Sequence, residues 1–264
     1  MGRIISLERH GAVGVLTIHH PDSKANPYDW EFMDDLSAAL GEARRDDAVR
    51  VVMLTGRGNF FCAGADIAQL AAMDPQTKAM FCLHCQETIN QLEQTPKVVI
   101  AALNGHTVGG GLEVALACDL RFMAAEDEGF RPRIGTPEVK LGVLPGTGGT
   151  QRLPRLIGRQ KALRMMLEGQ TVRPDEALSL GLVDEVWPRP DFVTRTMAYC
   201  DGLAAGATRA QGLIKLAVQQ GLELPLYGGL ALERELQNRL FVTEDAREGL
   251  AAYLDKRQPR FQGR

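Results

Sequence analysis

The chain has 264 residues, of which 45% are hydrophobic and 24% charged, and its formal net charge is -3. That length supplies one good core, or one core with a small appendage. The slight acidity and the lack of a basic arm exclude nucleic acid as the expected partner, and no apolar run reaches transmembrane length.

In chain order, residues 4–7 and 13–18 read as strands about a turn at Gly11 and Ala12. The stretch 21–27 is a loop. Asp29 is placed to cap a helix running to about residue 43, with Phe32, Leu36 and Leu40 on one stripe. Val51 to Leu54 is a short, wholly apolar strand of the kind found in a parallel sheet covered on both faces. A helix over 75–94 and a strand over 97–103 follow, and that strand leads into a run of glycines. A short helix then reaches Ala117, and 120–123 reads as a strand. From 153 onward the pattern is helical, with helices expected over 154–168, 173–180, 191–205, 209–220, 225–240 and 243–256. The organisation is therefore α/β over residues 1–190, followed over 191–264 by a helical region with too little core of its own to fold alone. That region is expected to pack on the core or on a neighbouring subunit.

The N-terminal residues lack the layout of a secretory signal, so a soluble, cytoplasmic protein is expected. Gly2 with Ser6 matches a loose acylation pattern inside what reads as an ordered strand. The five cysteines are odd in number and scattered, which argues for reduced thiols. Cys82 and Cys85 flank His84 in an isolated C-x-x-C, read as structural.

The chemistry lies in two glycine turns. The first is Phe61-Cys62-Ala63-Gly64-Ala65-Asp66-Ile67, and the second is Asn104-Gly105-His106-Thr107-Val108-Gly109-Gly110-Gly111-Leu112-Glu113. Backbone N–H groups at the start of a helix have no internal partner and face outward. Ala65 and Gly110 are the best-placed donors, and two such donors converging on one point form an oxyanion hole. Tight-turn glycine alone explains either string equally well, and neither has the spacing of a nucleotide phosphate loop or a dinucleotide fingerprint. Glu113 lies within the helix that the second turn opens, and Glu138 follows Pro137. If the two meet, like charge and partial burial would separate their proton affinities, so that one serves as acid and the other as base. Each also has an ordinary reading, as a carboxylate in the first turn of its own helix.

Taken together, these stretches make the chain resemble the crotonase superfamily, and most closely the enoyl-CoA hydratases. The resemblance is carried by Ser23-Lys24-Ala25-Asn26, by both glycine turns, by Pro137-Glu138 through Gly142-Val143-Leu144-Pro145-Gly146-Thr147-Gly148-Gly149-Thr150-Gln151-Arg152-Leu153, and by the end of the chain from Phe241 to Arg257. It implies a spiral of repeated ββα units with a C-terminal helical trimerisation region, assembled as a trimer or a dimer of trimers. It also implies an acyl-CoA substrate whose thioester oxygen lies between the N–H groups of Ala65 and Gly110. Glu113 would help deprotonate the attacking water and Glu138 would supply the α-proton. No separate cofactor is implied, because coenzyme A is part of the substrate. Lys24 and Ala25 would lie along its nucleotide end, joined by Ala63, Asp66 and Ile67 of the first turn, and Lys256 would meet phosphate, from its own or a neighbouring subunit.

Three features depart from the family pattern. Asn26 is followed by Pro27 rather than alanine, the segment 127–134 is longer than usual, and Ala68 stands where a lysine is common. The acyl wall is expected from the stretch around Leu70 to His84, including Met73, Met80 and Phe81. Δ3-Δ2 isomerisation, reaction of a cyclic or aromatic-pathway acyl-CoA, and a non-catalytic binding role stay open as alternatives.

Overall fold

The computed structural model describes residues 4–264, so Gly2 of the acylation-like pattern lies outside the described residues. Strands β1 (Ile5–His10) and β2 (Val13–Ile18) pair antiparallel about Gly11, which adopts a φ of 60°. Helix α1 (Trp30–Arg45) opens on Asp29, whose carboxylate accepts the N–H of Phe32, and it buries Phe32, Met33, Leu36, Ala39, Leu40 and Ala43. Strands β3 (Val51–Gly56) and β4 (Phe60–Cys62) lead to α2 (Ile67–Ala72) and α3 (Pro75–Gln94). Then come β5 (Val98–Leu103), β6 (His106–Val108), α4 (Gly110–Leu116), β7 (Leu120–Ala124) and β8 (Ile134–Gly135).

The strands alternate between two sheets. One has the order β1-β2-β3-β5-β7 and is parallel from β2 onward; the other begins β4-β6-β8 and is parallel through those three. Each turn of the chain thus lays one strand in each sheet before a helix or helical turn returns it. This is the spiral of ββα units. The connections differ in length, which is why the repeat has no fixed sequence period.

The second half completes both sheets. A 3-10 turn at Glu138–Leu141 is followed by α5 (Gly149–Ile157), α6 (Arg159–Glu168), β9 (Thr171–Val172), α7 (Pro174–Leu180) and β10 (Glu185–Trp187). β9 pairs antiparallel with β8, and β10 pairs parallel with β7. The single helix expected over 154–168 is therefore two, separated at Gly158, whose φ of 83° no right-handed helix accommodates. The expected link at Gln170 to Val172 contains a strand.

Helix α8 (Phe192–Ala204) covers the outer face of the larger sheet. Phe192, Cys200 and Ala204 pack on Val13, Val51, Met53, Ile100 and Phe122. Neighbouring residues of the same strands, Leu16, Val52 and Leu54, face the main core with α1. Burial on both faces explains why β3 reads as a continuous apolar run rather than an alternating one. Helix α9 (Thr208–Gly221) is anchored by Lys215, which is 7% exposed and whose ammonium meets Asp119 at 2.9 Å and the carbonyls of Leu92 and Lys97. Helices α10 (Leu226–Phe241) and α11 (Glu244–Leu254) complete the chain, and α11 ends two residues before Lys256.

Candidate active site

The parallel ladder β4-β6-β8 sets the site. Its three strands run the same way, and each ends in a segment that starts a new element: Ala63 to Asp66 before α2, Gly109 before α4, and Thr136-Pro137 before the turn at Glu138. Strand ends of this kind are where α/β proteins place ligands. The registry Cys62 to Thr107 and Val108 to Gly135 brings these endings side by side, and the Gly109 N–H donates to Gly135 O at 2.9 Å.

The first turn is fixed by Tyr28. Its N–H donates to Gly64 O at 2.8 Å, and its carbonyl accepts the Asp66 N–H at 2.9 Å. In a parallel bridge, this pattern turns the intervening N–H, that of Ala65, away from the partner strand. Gly64 adopts a φ of 91°, and a methyl group there would lie 2.8 Å from the Gly110 nitrogen. The two glycine turns therefore meet at this point. Gly110 opens α4, so its N–H has no partner within the helix. The N–H groups of Ala65 and Gly110 are thus both directed away from internal bonding, as an oxyanion hole requires.

Glu113 lies three residues after Gly110 in α4, on the same face of the helix. It is 2% exposed, and its Oε1 accepts the N–H groups of Thr147 and Gly149, both at 2.7 Å. Burial raises its pKa from 4.5 to about 7; the Gly149 and Thr147 N–H groups and Arg152 oppose that rise, whereas the Glu138 charge adds to it. Glu138 differs. Both its carboxylate oxygens are shut away from solvent without a hydrogen-bond partner among the described residues, and burial raises its pKa. A methyl group on Gly109 would sit 3.5 Å from Glu138 Oε1, so this carboxylate lies against the second glycine turn. The two acids share one neighbourhood with unequal support: N–H groups of two other residues hold the anion of Glu113, whereas only Glu138's own backbone N–H opposes the rise in its pKa.

The loop bearing Lys24 and Ala25 adjoins the first turn, because the Ala63 N–H donates to Ala25 O at 3.0 Å. Asn26, with a φ of 50°, is buried there; its side chain donates to Arg57 O and Phe60 O and accepts the His20 N–H. Lys24 is exposed on this loop. The Asp66 carboxylate caps α2 by accepting the Gln69 N–H, and Ile67 is exposed beside it. Lys256 stands apart. It has a φ of 53°, its N–H returns to Tyr253 O, and none of its described contacts reaches the turns.

Within the expected acyl wall, Phe81 is buried against Trp30 and Tyr28, whereas Met80 is exposed. His84 stacks on Trp30 and lies 3.1 Å from Asp34. The segment 127–134 runs into β8 of the smaller sheet. Phe130 packs on His106 beneath the Arg189 guanidinium, which also pairs with Asp127 at 3.1 Å. His106 accepts the Arg133 N–H and packs on Phe60, so its ring serves this packing.

Sequence reasoning assigned no role to Thr147 and Gly149, the donors to Glu113, or to Tyr28. A signal for the donors was present: Gly146-Thr147-Gly148-Gly149 is a third glycine turn immediately before a helix.

Relatives identify the family. The chain matches the family Enoyl-CoA hydratase/isomerase over residues 8–264. It is 36% identical to a probable enoyl-CoA hydratase of Bacillus subtilis (strain 168), over 98% of both chains. It is 34% identical to a short-chain-enoyl-CoA hydratase of Clostridium acetobutylicum, over 96% of this chain and 95% of the other. A crystal structure of an enoyl-CoA hydratase from Geobacillus kaustophilus HTA426 superposes with a TM-score of 0.95 at 47% identity, covering 100% of this chain and 98% of that one. The chain belongs to the enoyl-CoA hydratase/isomerase family, within the crotonase superfamily, and is an enzyme of the enoyl-CoA hydratase type.

Proposed function

We propose that this enzyme adds water across the 2,3 double bond of a 2-enoyl-CoA to give a 3-hydroxyacyl-CoA. The observation that supports the reading is the pair of unequal carboxylates beside two outward N–H groups: Glu113 held by the N–H groups of two other residues, Glu138 by none from another residue.

In this mechanism the thioester oxygen accepts hydrogen bonds from the N–H groups of Ala65 and Gly110. Glu113, ionised and oriented by Thr147 and Gly149, takes a proton from water as the water oxygen bonds to the β-carbon. The electron pair of the double bond moves toward the thioester oxygen, and the enolate is stabilised by the two N–H groups. Glu138, entering the step protonated, gives its proton to the α-carbon as the enolate collapses. A proton on Glu113 and a vacancy on Glu138 remain, and exchange with solvent resets both. The reading needs no metal or redox group. Two carboxylates with opposed duties favour hydration over isomerisation, which can proceed with one.

The nucleotide end of coenzyme A is assigned to Lys24, Ala25, Ala63, Asp66 and Ile67, a reading supported by the bond from the Ala63 N–H to Ala25 O that joins the loop to the first turn. Lys256 joins that set only from a neighbouring subunit. Assembly as a trimer or a dimer of trimers is supported by apolar residues exposed on the C-terminal helices, among them Leu226, Tyr227, Val242 and Leu254. No helix among the described residues is long and apolar enough to cross a membrane.

The test is loss of enoyl thioester absorbance with crotonyl-CoA, compared among the wild type, Glu113→Gln and Glu138→Gln. Rapid loss in the wild type that both substitutions abolish supports the proposal. A folded wild type that binds acyl-CoA without consuming crotonyl-CoA refutes it.

A further inference from the structure

One residue touches all three segments that the proposed reaction needs. Tyr28 is 4% exposed and precedes α1. Its backbone brackets Ala65, as described above. Its ring abuts the second turn so closely that a methyl group on Gly110 would lie 2.2 Å from both Cε1 and Oη. Its hydroxyl meets Thr147 Oγ1 at 2.8 Å in a buried hydrogen bond across 119 residues of sequence. Thr147 is in turn one of the two donors to Glu113. Phe32 and Phe81 flank the ring, with centroids 5.9 Å and 6.1 Å away, and fix its plane.

We propose that Tyr28 is a positioning residue that locks the oxyanion-binding turns and the Glu113-bearing site into one geometry, through its backbone at Ala65, its ring at Gly110 and its hydroxyl at Thr147. The inference rests on the hydratase reading for its consequence but not for its contacts. Tyr28 is not a proton carrier. Burial and the nearby Glu113 charge raise its pKa well above the ordinary tyrosine range, so the phenol stays neutral. What it supplies is placement. A buried hydroxyl pair is satisfied only while both members hold their positions, so Thr147 is kept where its N–H meets Glu113.

Placement of this kind acts on the transition state more than on substrate binding. A net hydrogen bond of about 1 kcal/mol in that role corresponds to roughly a five- to tenfold effect on turnover. The experiment compares wild type, Tyr28→Phe, Thr147→Val, the double variant and Thr147→Ser with crotonyl-CoA, with thermal melting measured on each. Tyr28→Phe keeps every ring contact, and Thr147→Val acts without touching the ring, so at least one route survives if the other variant folds poorly.

The expected result is kcat lowered about tenfold in each of Tyr28→Phe and Thr147→Val with KM within about twofold of wild type. The double variant should be no worse than either single, because both remove the same bond, and Thr147→Ser should restore most of the loss. Unchanged kcat in Tyr28→Phe, or losses that multiply in the double variant, would overturn the proposal. Failure of the hydratase reading is recognised separately, by a wild type that does not hydrate crotonyl-CoA. In that event the near-ultraviolet band of acetoacetyl-CoA bound as its enolate decides the role of Tyr28. A weaker band in Tyr28→Phe and Thr147→Val supports positioning of the N–H pair, and equal bands refute it.

Discussion

Replacing Glu113 by glutamine separates chemistry from folding. Both donors to Glu113, the N–H groups of Thr147 and Gly149, converge on the same oxygen, Oε1. An amide oxygen can stand in that place and accept both, so Glu113→Gln keeps the local hydrogen bonds while losing the ability to take a proton. Loss of a general base lowers turnover by roughly a hundred- to ten-thousandfold. Stability should move the other way. Burial raises the Glu113 pKa in the folded protein from 4.5 to about 7. Between those values the folded state holds a proton that the unfolded state has released, so stability falls as pH rises through this window. The full loss, reached above the folded pKa, is roughly 3 kcal/mol. The glutamine variant has no such charge to bury. It should melt near the wild type at about pH 4.5 and above it at about pH 8, with a gap of up to roughly 3 kcal/mol. Crotonyl-CoA turnover and thermal melting at the two pH values read both effects. Turnover within tenfold of wild type would refute the base assignment, and a melting difference independent of pH would refute the buried-charge argument.

Gly110→Ala places a methyl group 2.2 Å from the Tyr28 ring, so the ring or the start of α4 must shift at the oxyanion donor. Loss of one such donor is worth roughly a hundred- to a thousandfold in kcat; the variant should therefore still bind acyl-CoA in calorimetry while turning over at no more than about a hundredth of the wild-type rate. Lys215→Ala removes the cation that ties α9 to Asp119, Leu92 and Lys97. Breaking a buried pair from one side costs about 3–5 kcal/mol. Chemical denaturation should show that loss, and a change below about 1 kcal/mol would show the pair to be solvated.

The glycine turns were legible because their backbone geometry writes itself into residue type. Gly64 adopts a φ of 91°, and Gly110 has no room for a side chain, so both positions announce themselves in sequence. Glu113 was legible because it sits one helical turn beyond the donor it serves. Its nearness to Glu138 was not, since that depends on β6 and β8 pairing in register, and β8 has only two residues. Strands this short carry no periodicity, which is also why β4, β6 and β9 escaped notice. The break in the helix after Leu153 is hidden in the sequence because Gly158 sits within a helical pattern, whereas its positive φ divides α5 from α6. Tyr28 gave no local sign of its role, because its hydroxyl partner is 119 residues away and nothing in its neighbours marks the contact. The C-x-x-C at Cys82 and Cys85 lies on α3, where Cys85 is buried in the main core and Cys82 Sγ faces Gly146. Lys256 bonds back to Tyr253 at the end of α11, so a phosphate role for it is not written in this chain's own contacts.

The central claim is that Glu113 directs a water oxygen to the β-carbon while Glu138 delivers a solvent-derived proton to the α-carbon. Its most direct test is mass spectrometry of the product formed from crotonyl-CoA in deuterium oxide, and separately in water labelled with heavy oxygen. The account predicts 3-hydroxybutyryl-CoA carrying one deuterium at the α-carbon in the first case and one heavy oxygen at the β-carbon in the second, with both products lost in Glu138→Gln. A rearranged enoyl-CoA without heavy oxygen, or hydration that persists undiminished in Glu138→Gln, would contradict it.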